Sequence, residues 1–166
     1  MQRLHRPFTI LLCTLFVYGT ASIAHAAEIK DTKLLTITKV TDGDSLRAGE
    51  IRIRLHGIDA PEMRQICQAG GDYSCGKSAQ AYLASVLGHN ATLKCDHLDT
   101  DRYGRFVMRC YHRGVDISAG MVRAGWALAY RRYSLDYIGD EAEAKAAKRG
   151  LWAGTFKTPE QWRRDN

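Results

Sequence analysis

Asp44, Arg54, Asp59 and Glu62 lie within one short stretch of the chain. It reads Thr41-Asp42-Gly43-Asp44-Ser45, then Arg52-Ile53-Arg54-Leu55, then Ile58-Asp59-Ala60-Pro61-Glu62. Carboxylates are hard oxygen donors suited to a divalent cation. Arginine carries a planar, permanently charged fork that matches a phosphate. Three acids beside a fixed guanidinium therefore point to a bound divalent metal next to a phosphate clamp. Singly the pieces say less: Asp42-Gly43 alone is a turn, and Asp59-Ala60-Pro61-Glu62 alone is the solvated end of a strand. The arginine five residues before Asp59 joins them.

A second charged block, Asp101-Arg102-Tyr103-Gly104-Arg105, offers another guanidinium in Arg105. Its competing reading is an ordinary hairpin turn in which Arg105 pairs with Asp101. Tyr103 and Tyr130 can hold bases through their aromatic faces without reading sequence, with core packing as the alternative. Arg131-Arg132 beside Tyr133 either follows a nucleic-acid backbone or forms a solvated edge.

The elements that must position these residues follow from periodicity and turn chemistry. Leu34 to Val40 is a β-branched run and predicts a strand. Asp42-Gly43 is a two-residue hairpin signal, with Ser45-Leu46-Arg47 as the second strand. Gly49-Glu50 turns into a third strand from Ile51 to about Ile58, with Gly57 as a bulge. Alternation places Arg52 and Arg54 on one face of that strand, and Ile51, Ile53 and Leu55 on the other. Met63 to Gly76 reads as a loop. Ala79, Tyr82, Leu83, Val86 and Leu87 recur at helical spacing within Lys77 to Leu87, and Gly88 suits the cap. Strands over Ala91 to Leu98 and Arg105 to Tyr111 flank a turn at Asp99 to Gly104. Asp116 to Ala124 is a short helix striped by Ile117, Met121 and Val122. Trp126 to Tyr130 is extended, and Asp136 to Arg149 is a charged helix ended by Gly150. The expected class is mainly β with helices (α+β), a five-stranded OB-fold barrel with helical additions.

Composition narrows the setting. Arg3 and Arg6, an apolar run from Phe8 to Val17 and the ending Ala24-His25-Ala26 make a secretory signal peptide, residues 1–26. The run is too short for a transmembrane anchor, and Cys13 would leave with it. Removal would leave about 140 residues, residues 27–166, enough for one domain with one core. Of 24 basic and 18 acidic residues only Arg3 and Arg6 precede Ala27, which leaves 22 against 18, a formal +4. That permits a polyanionic partner without requiring one. Four cysteines behind a signal peptide argue for disulfides. They allow three pairings; the hairpin and the glycine-rich loop favour Cys67–Cys75 and Cys95–Cys110. Wide spacings and scattered histidines argue against zinc.

From about Leu34 to Trp152 the chain resembles the staphylococcal nuclease (thermonuclease) family. The resemblance rests on Asp42-Gly43-Asp44-Ser45, on Arg54 followed by Asp59-Ala60-Pro61-Glu62, on Asp101-Arg102-Tyr103-Gly104-Arg105, and on Gly150-Leu151-Trp152. It implies a five-stranded OB barrel with three helices. By the resemblance Asp44 and Asp59 ligate Ca²⁺ with the carbonyl of Ala60, Glu62 is the general base, and Arg54 and Arg105 clamp the scissile phosphate. Tyr103 and Tyr130 would flank the nucleotide, and only Tyr130 answers to the family's pair of tyrosines. Ala60 stands where the family's type member has threonine, which a carbonyl ligand would not notice.

The expectation is thus a secreted or periplasmic, monomeric, Ca²⁺-dependent endonuclease that hydrolyses DNA and RNA to 3′-phosphates, with no membrane contact after signal removal. The rivals are a catalytically silent OB module that binds single strands, and a disulfide-stapled interaction domain. Neither needs a base at Glu62.

Overall fold

The computed structural model of the chain describes residues 31–166; the expected signal peptide, with Cys13, lies outside them. Leu35 and Ile37 point inward from an otherwise exposed run, which sets the pattern of the first strand. That run forms β1 (Thr32–Thr36) and β2 (Lys39–Val40). β3 (Ser45–Ala48) and β4 (Ile51–Leu55) complete a meander; the strand expected to run to about Ile58 stops at Leu55, and the short β5 (Ile58–Asp59) stands outside the main sheet. Next come β6 (Ile66–Gln68), β7 (Asp72–Ser74) and helix α1 (Cys75–Leu87). β8 (Thr92–Thr100), β9 (Phe106–His112) and β10 (Val115–Asp116) lead into α2 (Ile117–Arg123). β11 (Leu128–Ala129), α3 (Ile138–Ala146), a 3₁₀ turn at Gly150–Ala153 and α4 (Pro159–Asp165) finish the described chain.

The main sheet runs β1-β8-β9-β4-β3-β2. Its two ends are halves of one continuous stretch: β1 pairs with β8, and β2 pairs with β3. At the bend, Ile37 N donates to Ala91 O and Thr38 N to Arg47 O, both at 2.8 Å. One bent strand thus joins both edges, the arrangement of a small OB-type barrel, and leaves no long open edge between them. β4 and β9 pair in parallel and the remaining neighbours antiparallel.

Inside lie Leu46, Ile53, Leu55, Leu93 and Met108, packed against Leu83 and Leu87 of α1 and Met121 and Val122 of α2. The expected face split of β4 holds, with Ile53 and Leu55 buried while Arg52 is exposed and Arg54 half-buried. Both disulfides are formed: Cys95–Cys110 ties directly opposed residues of β8 and β9, and Cys67–Cys75 ties β6 to the start of α1.

Several local expectations differ. The first turn spans Asp42, Gly43 and Asp44 rather than two residues, because Thr41 N bonds to Ser45 O. A Cβ on Gly43 would lie 2.7 Å from the Cβ of Ala60 and 2.8 Å from that of Ala79, so the wider turn is pressed onto its neighbours. The loop expected over Met63 to Gly76 contains the β6–β7 hairpin, and α1 starts at Cys75, within the disulfide. Val86, expected on the apolar stripe, is exposed. Helix α3 is shorter than expected, ending before Lys148 and Gly150, both at positive φ. Among the described residues there are four α-helices rather than three. The additional one, α4, has Thr158 as N-cap, Pro159 in its first turn and a capping box closed by Gln161.

Two helical glycines should respond oppositely to alanine. Nothing lies within 4 Å of where a Cβ on Gly120 would sit, so Gly120→Ala should stabilise by about 0.5–1 kcal/mol. A Cβ on Gly76 would overlap the Glu62 carbonyl, so Gly76→Ala should destabilise by roughly 1–3 kcal/mol. Urea denaturation of the oxidised protein measures both.

Candidate active site

Strand register does most of the positioning. Ser45 of β3 stands opposite Arg54 of β4, and Leu55 N donates to Asp44 O at 2.8 Å, which places Asp44 at the mouth of the barrel beside Arg54. Arg54 also stands opposite Val107 of β9, so Arg105, just ahead of β9, arrives at the same end. Asp59 closes β5, where it is opposed by Leu128 of β11. Pro61 follows at once, and Glu62 sits on a turn in which Gln65 N bonds to Glu62 O and Glu62 N bonds to Gln65 Oε1.

The side chains then meet in one continuous chain of contacts. Arg54 Nη1 is 3.0 Å from Asp44 Oδ2, and its Nη2 is 3.4 Å from Asp59 Oδ1. Asp44 Oδ2 also accepts from Ala60 N at 2.8 Å, and Ser45 Oγ donates to Asp44 Oδ1 at 3.1 Å. Arg105 Nη1 reaches Ser45 Oγ at 3.4 Å while its Nε is bound to Asp101 Oδ2 at 2.7 Å. Arg105 thus makes the turn's ion pair with Asp101, as its structural reading has it, and also borders Asp44 through Ser45. Tyr103 is exposed, under the guanidinium groups of Arg102 and Arg105. Tyr130 packs edge-on against Tyr133, ring centroids 4.8 Å apart. Arg131 binds Glu141, which makes it structural rather than a free cation.

Asp44 and Asp59 are 7% and 4% exposed. Burial outweighs the attraction of Arg54 and pushes the Asp44 carboxyl up to about 7. Burial likewise raises Asp59 above the usual carboxylate range, against the pull of Arg163 and Arg54. Two desolvated carboxylates held above their normal range form a site short of positive charge. Their all-oxygen donor set fits a hard divalent cation. Among the described residues no group of three or more His, Cys, Asp or Glu side chains forms a ready-made cage, so any cation would lean on few protein ligands.

One neighbour was not singled out from the sequence. Arg163 of α4 places Nη1 3.0 Å from Asp59 Oδ1, Nη2 2.9 Å from Asp59 Oδ2, and Nη1 2.8 Å from Glu62 Oε1. Burial lowers its pKa, but the bonds to Asp59 and Glu62 outweigh that and leave it raised. Thr158-Pro159-Glu160-Gln161 carries a readable helix start, yet nothing local to it says where Arg163 would land. Gln65, fully buried and donating to Lys157 O at 2.7 Å, is a second unforeseen neighbour that joins the Glu62 turn to the segment before α4.

An OB-type barrel with carboxylates and arginines gathered at its mouth defines a class, and comparison with known proteins narrows it. The family model described as "Staphylococcal nuclease homologue" matches residues 52–154. An uncharacterized endonuclease of Haemophilus influenzae is 32% identical over 163 residues, covering 93% of this chain and 85% of that protein. The succinoglycan biosynthesis protein ExoI of Rhizobium meliloti is 32% identical over 117 residues, 68% of this chain and 61% of its own length. A probable staphylococcal-like nuclease of Oryza sativa, CAN2, is 34% identical over 125 residues, 74% of this chain and 32% of its own. The chain thus spans less than two thirds of the last two relatives. It belongs to the staphylococcal nuclease homologue family.

The raised Asp44 gives a signed pH dependence in chelator. Between its unfolded value near 4 and its folded value of about 7 the native state binds the extra proton, so stability falls as pH rises through that window. Relative to Asp44→Asn, the wild type should lose about 3–4 kcal/mol of unfolding free energy between pH 4 and pH 8. Denaturant titrations at both pH values test this; a difference independent of pH would contradict it.

Proposed function

We propose that the chain is a calcium-dependent phosphodiester hydrolase that cuts DNA and RNA internally and leaves 3′-phosphates. The observation that carries the reading is the convergence of Asp44, Arg54, Asp59, Glu62 and Arg105, drawn from three separate blocks of sequence, at one end of the barrel. Family membership supports a nuclease. Calcium, substrate range and product polarity rest on the chemistry of the donors and on the family resemblance.

Arg54 and Arg105 would receive the non-bridging oxygens of the scissile phosphate. They are the paired forks that match a tetrahedral anion. Fixed cations stabilise the extra negative charge of the transition state more than that of the substrate. Glu62, about one third exposed, is open to a water, from which it would take a proton. The water oxygen would form the new bond to phosphorus as the bond from phosphorus to the 5′-oxygen breaks; that oxygen would leave with a proton from solvent water, and Glu62 would return its own proton to solvent. Asp44, Asp59 and the carbonyl of Ala60 would hold the cation, whose contribution when bound is Lewis-acid polarisation of a phosphoryl oxygen. Tyr103 and the Tyr130–Tyr133 pair offer aromatic faces to bases without reading their identity.

Two disulfides belong to an oxidising compartment, in keeping with export to the periplasm or the medium. Among the described residues no helix is long and apolar enough to cross a membrane.

Glu62→Gln should lower kcat about 10²–10⁴-fold while the melting temperature stays close to the wild type's. Plasmid, heat-denatured DNA and RNA incubated with Ca²⁺ or with chelator provide the assay. Cutting by Glu62→Gln at the wild-type rate would remove its role as base. Binding in Ca²⁺ without cutting by the wild type would make the chain a silent single-strand-binding module instead.

A further inference from the structure

The side chain that touches both Asp59 and Glu62 is neither a metal ligand nor part of the barrel. Arg163 lies on α4, beyond the residues that the family model matches. Its guanidinium takes both oxygens of Asp59 and one of Glu62. Arg54 already borders Asp59 Oδ1, so both Asp59 oxygens are committed to guanidinium groups. When fully ionised, Asp44, Asp59 and Glu62 carry three negative charges against the two positive charges of Arg54 and Arg163 that touch them. Adding a divalent cation with Arg163 in place would reverse the local sign and set like charges against each other, whereas releasing Arg163 would bring the same cluster to balance.

We propose that Arg163 is a built-in competitor for the cation position, so that α4 must withdraw its side chain before Asp59 can bind a divalent ion and Glu62 can accept a proton. The inference rests on the hydrolase reading above and adds a determinant of its cation affinity.

The attachment of α4 suits such a movement. Its base is pinned: Gln68 and Thr155 exchange two backbone hydrogen bonds, and Gln65 holds Lys157 O. Beyond that point only Pro159 is buried and Thr158 and Trp162 half-buried, while Glu160, Gln161 and Arg163 to Asn166 are exposed. The helix is closed locally by its capping box, a contact that travels with it, while the exposed Lys157–Asp165 pair links its last turn to the base. Beyond the packing of Pro159 and Trp162, the ion pairs of Arg163 hold α4 to the barrel mouth. Few buried contacts and a short helix mark a segment that opens at low free-energy cost.

Calcium titrations by calorimetry on the oxidised protein test this directly. Arg163→Gln should bind Ca²⁺ at least about tenfold more tightly than the wild type, within the usual range for coupled sites. Arg164→Gln makes the same charge change on the same helix, where among the described residues the side chain pairs with Glu160 alone, and should shift the affinity by less than about twofold. Thr158→Ala with Gln161→Ala removes the capping box without touching the carboxylates and should give an intermediate gain. In the wild type, saturating Ca²⁺ should speed hydrogen exchange of the α4 amides while the barrel stays protected. Melting curves establish that each variant is folded. Unchanged or weaker Ca²⁺ binding by Arg163→Gln, or α4 exchange indifferent to Ca²⁺, would overturn the competition. If that happens while calcium-dependent cutting persists, the hydrolase reading survives alone; if neither chain binds Ca²⁺, both fall.

Discussion

The constraint on which the site depends is the burial of Asp44 and Asp59 on either side of Arg54. An isolated buried carboxylate is costly and tends to neutralise. Here a single guanidinium lies 3.0 Å from one carboxylate and 3.4 Å from the other. The burial is imposed by the fold: Asp44 is drawn in by the β3–β4 register and by the backbone N–H of Ala60, and Asp59 by its place at the end of β5. Gly43 allows that closeness, because a side chain there would collide with Ala60 and Ala79. Losing one partner of such a buried pair typically costs about 3–5 kcal/mol, so the cluster is fixed in place while remaining short of positive charge.

Glu62 is held differently. It stands outside the barrel on a short turn, and its surroundings are stiffened from three directions. Gln65 returns two bonds to the turn, Gly76 at the start of α1 packs against its carbonyl, and the Cys67–Cys75 disulfide joins the following hairpin to that same helix. A closed covalent loop of this kind limits how far the unfolded chain can separate these parts. A rigid carboxylate pair beside a separately braced acid is an economical way to keep a charge-holding group and a proton-accepting group at different exposures. Gln65 also reaches Lys157, which ties the position of Glu62 to the segment that carries Arg163.

Much of this was readable in the chain before any coordinates. The β-branched run before Asp42 and the alternation of Ile53 and Leu55 against Arg52 and Arg54 mark strands because side-chain period two is a local property. The stripe Ile117, Met121, Val122 marks α2 for the same reason at period 3.6. Cys95 and Cys110 flank a legible hairpin, so their pairing could be anticipated. What was hidden depends on distant partners. The β6–β7 hairpin exists because a disulfide and Thr155 hold it, and no periodicity in three-residue strands announces it. Val86 has the residue type of a core position but lies on the solvent side of the helix, while its neighbour Leu87 is buried in the core. The start signals of α4 lie in Thr158-Pro159, yet the contact of Arg163 with Asp59 spans 104 positions, and only the folded chain reveals it.

The decisive property of the site is where a phosphate and a cation settle. A crystal structure of the oxidised protein with Ca²⁺ and a nucleoside 3′,5′-bisphosphate measures this in one step. The cation should lie on Asp44 and Asp59, a phosphate against Arg54 and Arg105, and the guanidinium of Arg163 should be withdrawn from Asp59. A bisphosphate bound elsewhere, with Arg163 still bridging Asp59 and Glu62 at saturating calcium, would contradict that arrangement.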